Sequence, residues 1–288
     1  MTKGLNMTHK AILGIIGGSG VYQLEGINII EELDVDTPYG KPSSPVMLAE
    51  LSGERFLFIP RHGKKHTVLP HEVNYVANVY ALKMLGAEYL ISVSAVGSLK
   101  EEHAPTNFVL PDQFIDWTKG GRRRTFFGEG IVAHVSVANP VEKSLQAIMA
   151  RAFEGKGLNY HVGGSYLCIE GPQFSTKAES NIYRSFGADV IGMTNVPESY
   201  LAKEAGMAYA TIAMVTDYDC WKEEHCTVDE IMRVMSTNNQ NVQKVLKEVI
   251  PEVCKNPPKF QKENAIGIMT PRDQLSERSK EILEILLR

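Results

Sequence analysis

Short apolar runs alternate with segments of helical period along most of this chain. Residues 11–16 form a continuous apolar run of buried-strand type. Val46–Leu51 and residues 56–60 form two more, joined by a Ser52-Gly53-Glu54 turn, and residues 28–32 are strand-like. Over residues 72–85, Val73, Val76, Ala77 and Tyr80 share one helical face, and Gly86 stands where a glycine ends a helix. A strand is predicted at 89–94. Asn139-Pro140 supplies an N-cap and a first-turn proline for a helix to about residue 154. Residues 166–170 and 189–193 read as strands on either side of a helix beginning near Lys177; 197–205 reads as a helix ending at Gly206, and 209–216 as a strand. Thr227-Val228-Asp229-Glu230 has the spacing of a capping box that opens a long helix toward Ile250. The alternation predicts an α/β fold with a central mixed β-sheet flanked by helices.

Composition changes character once, over the polar residues 255–263 with Pro257-Pro258. Beyond it, Thr270-Pro271-x-Asp273 is read as the cap of a last amphipathic helix carrying Ile282, Leu283, Ile285, Leu286 and Leu287. Residues 1–254 are therefore expected to form one domain, and 255–288 a linker and a docking helix. With 43% hydrophobic and 22% charged residues, a chain of 288 can bury a core. Thirty Lys and Arg against 34 Asp and Glu leave a net charge of -4, which argues against a nucleic-acid partner. The longest mostly apolar stretch, 205–215, is about half of a membrane span, so no membrane is expected. Cys168, Cys220, Cys226 and Cys254 form no CxxC pair and read as free thiols of a reducing, cytoplasmic compartment.

Four segments carry candidate chemistry. Gly14-Ile15-Ile16-Gly17-Gly18-Ser19-Gly20 follows a strand, where convergent backbone N–H groups and the Ser19 hydroxyl suit an anion. It lacks the Lys-Ser/Thr of a Walker loop, and Gln23 occupies the third glycine position of a dinucleotide fingerprint. An ordinary glycine turn fits it equally well. In Arg61-His62-Gly63-Lys64-Lys65-His66, Arg61 offers a bidentate fork for phosphate and His62 a further donor. The i, i+4 histidines lack the Glu of a zinc helix, and Lys64 and Lys65 would repel a cation, so no metal is expected. Arg122, Arg123 and Arg124 read as surface or as the rim of a site. Ser94-Ala95-Val96-Gly97-Ser98 places small residues at a strand's C-terminal end, where ligands bind in open α/β sheets; a simple turn is the alternative. Asp217 and Asp219 follow an apolar strand and, if its geometry continues, point to one side. Two close carboxylates divide labour between proton donor and acceptor, although turn and capping roles are the commoner use of a lone pair.

Together these segments resemble the 5′-methylthioadenosine phosphorylase family of the trimeric purine nucleoside phosphorylase superfamily. The resemblance also rests on Pro38-Tyr39-Gly40-Lys41-Pro42, Asn74-Tyr75, Asp112-Gln113-Phe114-Ile115-Asp116 and Ile169-Glu170-Gly171-Pro172-Gln173-Phe174-Ser175. Ala188-Asp189, Met193-Thr194, Val196-Pro197-Glu198, Ala202-Lys203-Glu204-Ala205 and Thr216-Asp217-Tyr218-Asp219-Cys220-Trp221 complete it, in family order. It implies a purine nucleoside phosphorylase-like fold, a homotrimer, and phosphorolysis of a purine nucleoside with inorganic phosphate as co-substrate and no cofactor. The family's phosphate groups fall on Ser19, Arg61, His62, Ser94, Ala95 and Thr194, its ribose contact on Met193, and its base pocket on Phe174, Ser175, Asp217 and Asp219. Val228, Ile231 and Met232 match the lining of its methylthio pocket, and His134 a position that reaches a neighbouring subunit's site. The tail's helix would then lie on its own domain or on a neighbour.

The residue chemistry accords with that implication. Glycosidic cleavage builds positive charge on the sugar and negative charge on the base, so phosphate at the sugar and a proton donor at the base both help. Relatives that take 6-oxopurines place Asn where this chain has Asp217; an acceptor there favours a 6-amino purine, hence methylthioadenosine. The alternative is a broader purine nucleoside phosphorylase. The shortened segment after Trp221 leaves the 5′ preference open, because one apolar group discriminates by only about 1–3 kcal/mol.

Overall fold

The computed structural model describes residues 11–18, 24–222 and 228–288, with the Val228 side chain excepted. Among these, eleven strands form one mixed sheet. Its centre is built from the uninterrupted apolar runs. β1 (Leu13–Gly17) is buried at every position and lies parallel between β4 (Glu54–Pro60) and β5 (Tyr89–Ser98). A strand covered on both faces needs apolar residues throughout rather than in alternation. β2 (Asn28–Leu33) and β3 (Val46–Leu51) continue the sheet antiparallel beyond β4, with β2 exposed at the edge.

β5 is the strand on which the fold turns. Its first half pairs with β1, its whole length pairs in parallel with β11 (Ala208–Tyr218), and its last residues pair antiparallel with β10 (Val190–Gly192). β10 continues to β9 (Ser165–Ile169) and β7 (Gln113–Trp117); β11 continues to β6 (Phe108–Leu110) and β8 (Tyr160–Val162). The sheet therefore forks at β5, and the C-terminal ends of β5, β9 and β11 open onto one cleft.

Several expected boundaries move, each for a physical reason. The small-residue segment after residue 94 is strand and not turn, because β11 pairs with it to Ser98. α1 (Tyr75–Met84) is buried on every side, since both α4 (Asn195–Glu204) and α6 (Glu277–Leu286) pack against it, so no solvent-facing stripe survives. α2 (Lys143–Arg151) starts later than Asn139-Pro140 predicted: the Glu142 carboxylate accepts from Ser144 N–H and caps it. α6 is capped by Ser276, while Thr270-Pro271 leads only into a 3₁₀ turn, Arg272–Gln274. α3 (Lys177–Ser185) begins where expected, closed by a Thr176/Glu179 capping box. α5 (Val228–Lys255) is the long late helix; Thr227 of its expected capping box lies outside the described residues.

The tail folds back on its own chain. Leu275, Ile282, Leu283 and Leu286 join the main core. Tyr89 Oη donates to the Pro258 carbonyl at 2.7 Å, and the Lys83 and Lys262 ammonium groups donate to the Arg288 carbonyl at 3.2 and 2.9 Å. Leu286 is 1% exposed. Leu286→Ala is expected to lower unfolding free energy by about 2–4 kcal/mol in a denaturant titration. A loss comparable to that of an exposed-face change at Glu284 would show that the helix is not part of the core.

Candidate active site

A cavity of about 410 Å³ occupies the cleft. Its walls come from the segment after β4 (Arg61, His62, His66–Pro70), the end of β5 (Val93–Gly97), Ile169, Phe174 and Ser175 after β9, Met193 and Thr194 after β10, Asp217 and Asp219 at the end of β11, and α5. Six separate chain regions thus bring together most of the residues singled out from sequence.

One end is lined by hydroxyls. Ser94 Oγ lies 3.1 Å from Thr194 Oγ1 and 3.4 Å from Tyr166 Oη. These are donors without formal charge, buried beneath the cavity. Gly192 makes the approach possible: a Cβ there would sit 1.9 Å from Tyr166 Oη, so only glycine lets β10 pass that ring.

Arg61 is placed differently from its sequence reading. It is 2% exposed, and its fork faces Glu198, with Nε to Oε2 at 2.9 Å and Nη2 to Oε1 at 3.1 Å. Nη2 also donates to Ser92 Oγ and Nη1 to the Val93 carbonyl. Burial alone would weaken its charged state, but Glu198 more than offsets this and holds the guanidinium protonated. Arg61 therefore reaches the cavity as one half of a neutralised pair, not as a free bidentate fork.

His62 also departs from the donor role. Its Nδ1 is 2.9 Å from the Val68 carbonyl, which can only accept, so Nδ1 carries the proton. Burial, reinforced by the Arg61 charge, pushes its pKa down to about 4. At neutral pH the ring is uncharged, with Nε2 as an acceptor. The His66 ring packs against it at a tilt of 36°, with centroids 4.8 Å apart.

The carboxylates lie further along the same strand pair. Gly97 is the register partner of Asp217, three residues beyond Ser94, which is about 10 Å along an extended strand. A bulge separates Val215 from Asp217 in the β5–β11 register, and the Thr216 hydroxyl lies 2.6 Å from Asp217 Oδ1 and 3.1 Å from the Val96 carbonyl. Burial raises the pKa of both Asp217 and Asp219, and the Asp219 charge raises Asp217 further against the opposing Thr216 hydrogen bond. Asp219 is fixed by its own N–H and by Trp221 Nε1, both donating to the Ser98 carbonyl at 3.0 and 2.8 Å. Asp219 Oδ2 and Ser175 Oγ are buried without a protein partner among the described residues.

The apolar wall comes from α5. Ile231, Met235, Asn239 and Val242 fall on one helical stripe and line the cavity with Met214. Met232 does not: it is 60% exposed, and Met235, one turn on from Ile231, takes the expected place. Helical period alone permitted either. Phe174 stands at the mouth, 80% exposed. His134 lies outside this cavity on the surface, its N–H bonded to the Gly267 carbonyl. Ser19 and the Val228 side chain lie outside the described residues. Sequence reading missed Met214, Met235, Asn239 and Val242, whose apolar signal is that of any core helix or strand, and it left Arg122 as surface or rim although that residue is 6% exposed.

A cleft at the strand ends, with a hydroxyl cluster about 10 Å from a buried carboxylate pair, is the arrangement of a small-molecule site in an α/β enzyme. Residues 12–251 match the phosphorylase superfamily, and the chain belongs to it. S-methyl-5′-thioadenosine phosphorylase of Koribacter versatilis is 49% identical over 281 residues, covering 96% of both chains. That of Thermofilum pendens is 52% identical, covering 85% of this chain and 93% of its own. A methylthioadenosine phosphorylase from an Antarctic soil metagenomic library superposes with a TM-score of 0.92 at 44% identity, covering 97% of this chain and 100% of its own. Methylthioadenosine phosphorylase from Schistosoma mansoni, in complex with tubercidin, gives 0.78 at 37% identity over 85% of this chain and 92% of its own.

Because folded His62 binds its proton less readily than an unfolded histidine, the unfolded chain holds more protons between about pH 4 and 6.5, and stability falls as pH drops through that window. His62→Gln removes this contribution. The decline in melting temperature from pH 7 to pH 5 should be shallower in the variant; an equal decline would place the imidazole in a solvated, unperturbed setting.

Proposed function

We propose that this enzyme cleaves 5′-methylthioadenosine with inorganic phosphate, releasing adenine and 5-methylthioribose 1-phosphate. The observation that carries the reading is the pairing, in one cavity, of a hydroxyl cluster at Ser94 and Thr194 with a raised-pKa carboxylate pair at Asp217 and Asp219. Phosphate beside Ser94, Ala95, Thr194, Arg61 and His62 attacks C1′ as the bond to the base breaks. Because Arg61 is neutralised by Glu198 and His62 is uncharged, phosphate keeps its negative charge to stabilise the oxocarbenium-like sugar next to Met193. Neutral His62 accepts a hydrogen bond from a protonated phosphate oxygen.

At the other end, electron density moves onto the departing adenine. Asp217, whose pKa burial raises, donates to N7 from its protonated form, and Asp219 accepts from the exocyclic amino group. Phe174 covers the base from the mouth, and Ser175 faces it. Ile231 and Met235 receive the methylthio group. Asn239, the one polar side chain on the α5 stripe, favours a second reading in which a 5′-hydroxyl, as in adenosine, is also accepted.

The catalytic unit in this reading is a homotrimer in the cytoplasm. Exposed Val132, Ile266 and Met269 surround the surface position of His134, which suits that face to a second copy whose cavity receives the imidazole. The free thiols of Cys168, Cys220 and Cys254 accord with a reducing compartment.

Product analysis with methylthioadenosine, adenosine and methylthioinosine, with and without phosphate, tests the reading. Adenine release should depend on phosphate, and hydrolysis in phosphate-free buffer would replace it with a nucleosidase. Asp217→Asn should lower kcat/KM for methylthioadenosine by about 10²-fold or more and shift relative preference toward the 6-oxo nucleoside. Unchanged preference in D217N would remove Asp217 from base recognition.

A further inference from the structure

Arg122 sits outside the cavity lining, and its contacts converge on the two loops that form the cavity's side wall. Its side chain is 1% exposed. Nη1 donates to the Met193 carbonyl at 2.7 Å and to the Val196 carbonyl at 2.8 Å, on either side of Thr194. Nη2 donates to the Glu170 carbonyl at 2.7 Å and to the Ile169 carbonyl at 3.3 Å, at the start of the loop that runs to Phe174 and Ser175. Nε donates to Glu170 Oε1 at 2.6 Å. A guanidinium has five N–H groups, so this set accounts for all of them. Nη1 also approaches Tyr75 Oη at 3.2 Å, and that hydroxyl donates to the carbonyl of Pro70 on a third wall of the cavity.

The loops joined in this way follow β9 and β10, which run parallel with Cys168 beside Gly192. Past that register the strands end, and no ladder hydrogen bond fixes the distance between Met193-Thr194 and Ile169–Ser175. Four carbonyls there face inward, away from water. A planar, permanently charged fork satisfies them together; a lysine, whose three donors radiate from one nitrogen, cannot span both loops. The Glu170 carboxylate, held by Lys119 N–H at 2.8 Å, balances the charge and fixes the plane of the fork.

We infer that Arg122 is a positioning residue for phosphorolysis: it sets the gap between the loop that touches sugar and phosphate and the loop that touches the base. The inference rests on the proposed function for its substrates, while its structural basis is independent of which nucleoside is cleaved. Displacing catalytic groups by about 1 Å costs on the order of 10²-fold in rate. R122K keeps charge and loses span, so kcat should fall by about 10- to 10²-fold, with KM for the nucleoside changing far less.

The test compares wild type, R122K and R122A at equal folded concentration, established from melting curves and circular dichroism. Kinetics are read with methylthioadenosine and phosphate, and binding of inorganic phosphate and of adenine by calorimetry. Millimolar guanidinium should restore part of the R122A rate, whereas urea, uncharged and of similar shape, should not. A role in stability alone predicts lower melting temperatures with normal kcat per folded molecule and no guanidinium effect; that result would overturn the inference. If the wild type itself releases no adenine, the functional reading fails separately, and an unchanged effect of bound phosphate on adenine affinity in R122K would then overturn the positioning role. If neither Arg122 variant folds, E170Q, which keeps an acceptor at Nε but removes its charge, should lower kcat several-fold without moving the phosphate-binding constant; wild-type kcat in E170Q would refute it.

Discussion

The buried pair of Arg61 and Glu198 is the constraint around which the active-site end of the sheet is arranged. Two charges removed from water are tolerated only when each is met by its partner and by further hydrogen bonds, and removing one partner of such a pair costs about 3–5 kcal/mol. Here the requirement is met by parts of five elements. Arg61 follows β4, the carbonyl of Ile16 belongs to β1, Ser92 and the Val93 carbonyl belong to β5, and Glu198 belongs to α4, where Tyr209 of β11 also donates to it. Asn195 extends the network by donating to Ser92 Oγ and Tyr209 Oη. Because the pair cannot move without exposing a charge to an apolar interior, the ends of these elements are fixed relative to one another, and His62, Ser94 and Thr194 are placed by them.

From that anchor the β5–β11 ladder acts as a ruler. Ser94 and Gly97 are separated by a fixed rise, and Gly97 lies opposite Asp217, where a Cβ would press on Ile191 at 3.2 Å. The sheet thus sets the distance between the hydroxyls of Ser94 and Thr194 and the carboxylates of Asp217 and Asp219, and α5 closes the cavity with largely apolar side chains. The two ends differ in electrostatic character for one reason, which is burial. It neutralises His62, forces Arg61 into a pair, and raises the pKa of Asp217 and Asp219.

Much of this was legible in the sequence. Continuous apolar runs marked β1, β3, β4, β5 and β11 because strands buried on both faces have no alternation to hide. Short strands such as β6 and β8, three residues each, carry no period to read; β6 forms on the edge that the longer β11 offers, and β8 on the edge of β6. The site segments were visible as motifs: glycine loop, Arg-His, small residues at a strand end, and paired aspartates. Met235 and Asn239 were not, because a helix turned toward a cavity has the same pattern as one turned toward a core.

What the sequence determined by itself was the kind of chemistry, since residue types and their order name the donors, acceptors and carboxylates available. Only the tertiary structure decided their states and roles. Arg61 was read as a phosphate fork, and packing against Glu198 made it a joint. His62 was read as a donor, and the Val68 carbonyl made its free nitrogen an acceptor. Arg122 was read as surface or as the rim of a site, and two strand ends with unpaired carbonyls enclosed it. Charge, tautomer and hydrogen-bond partner depend on what lies within a few ångströms in space, and chain order does not record that.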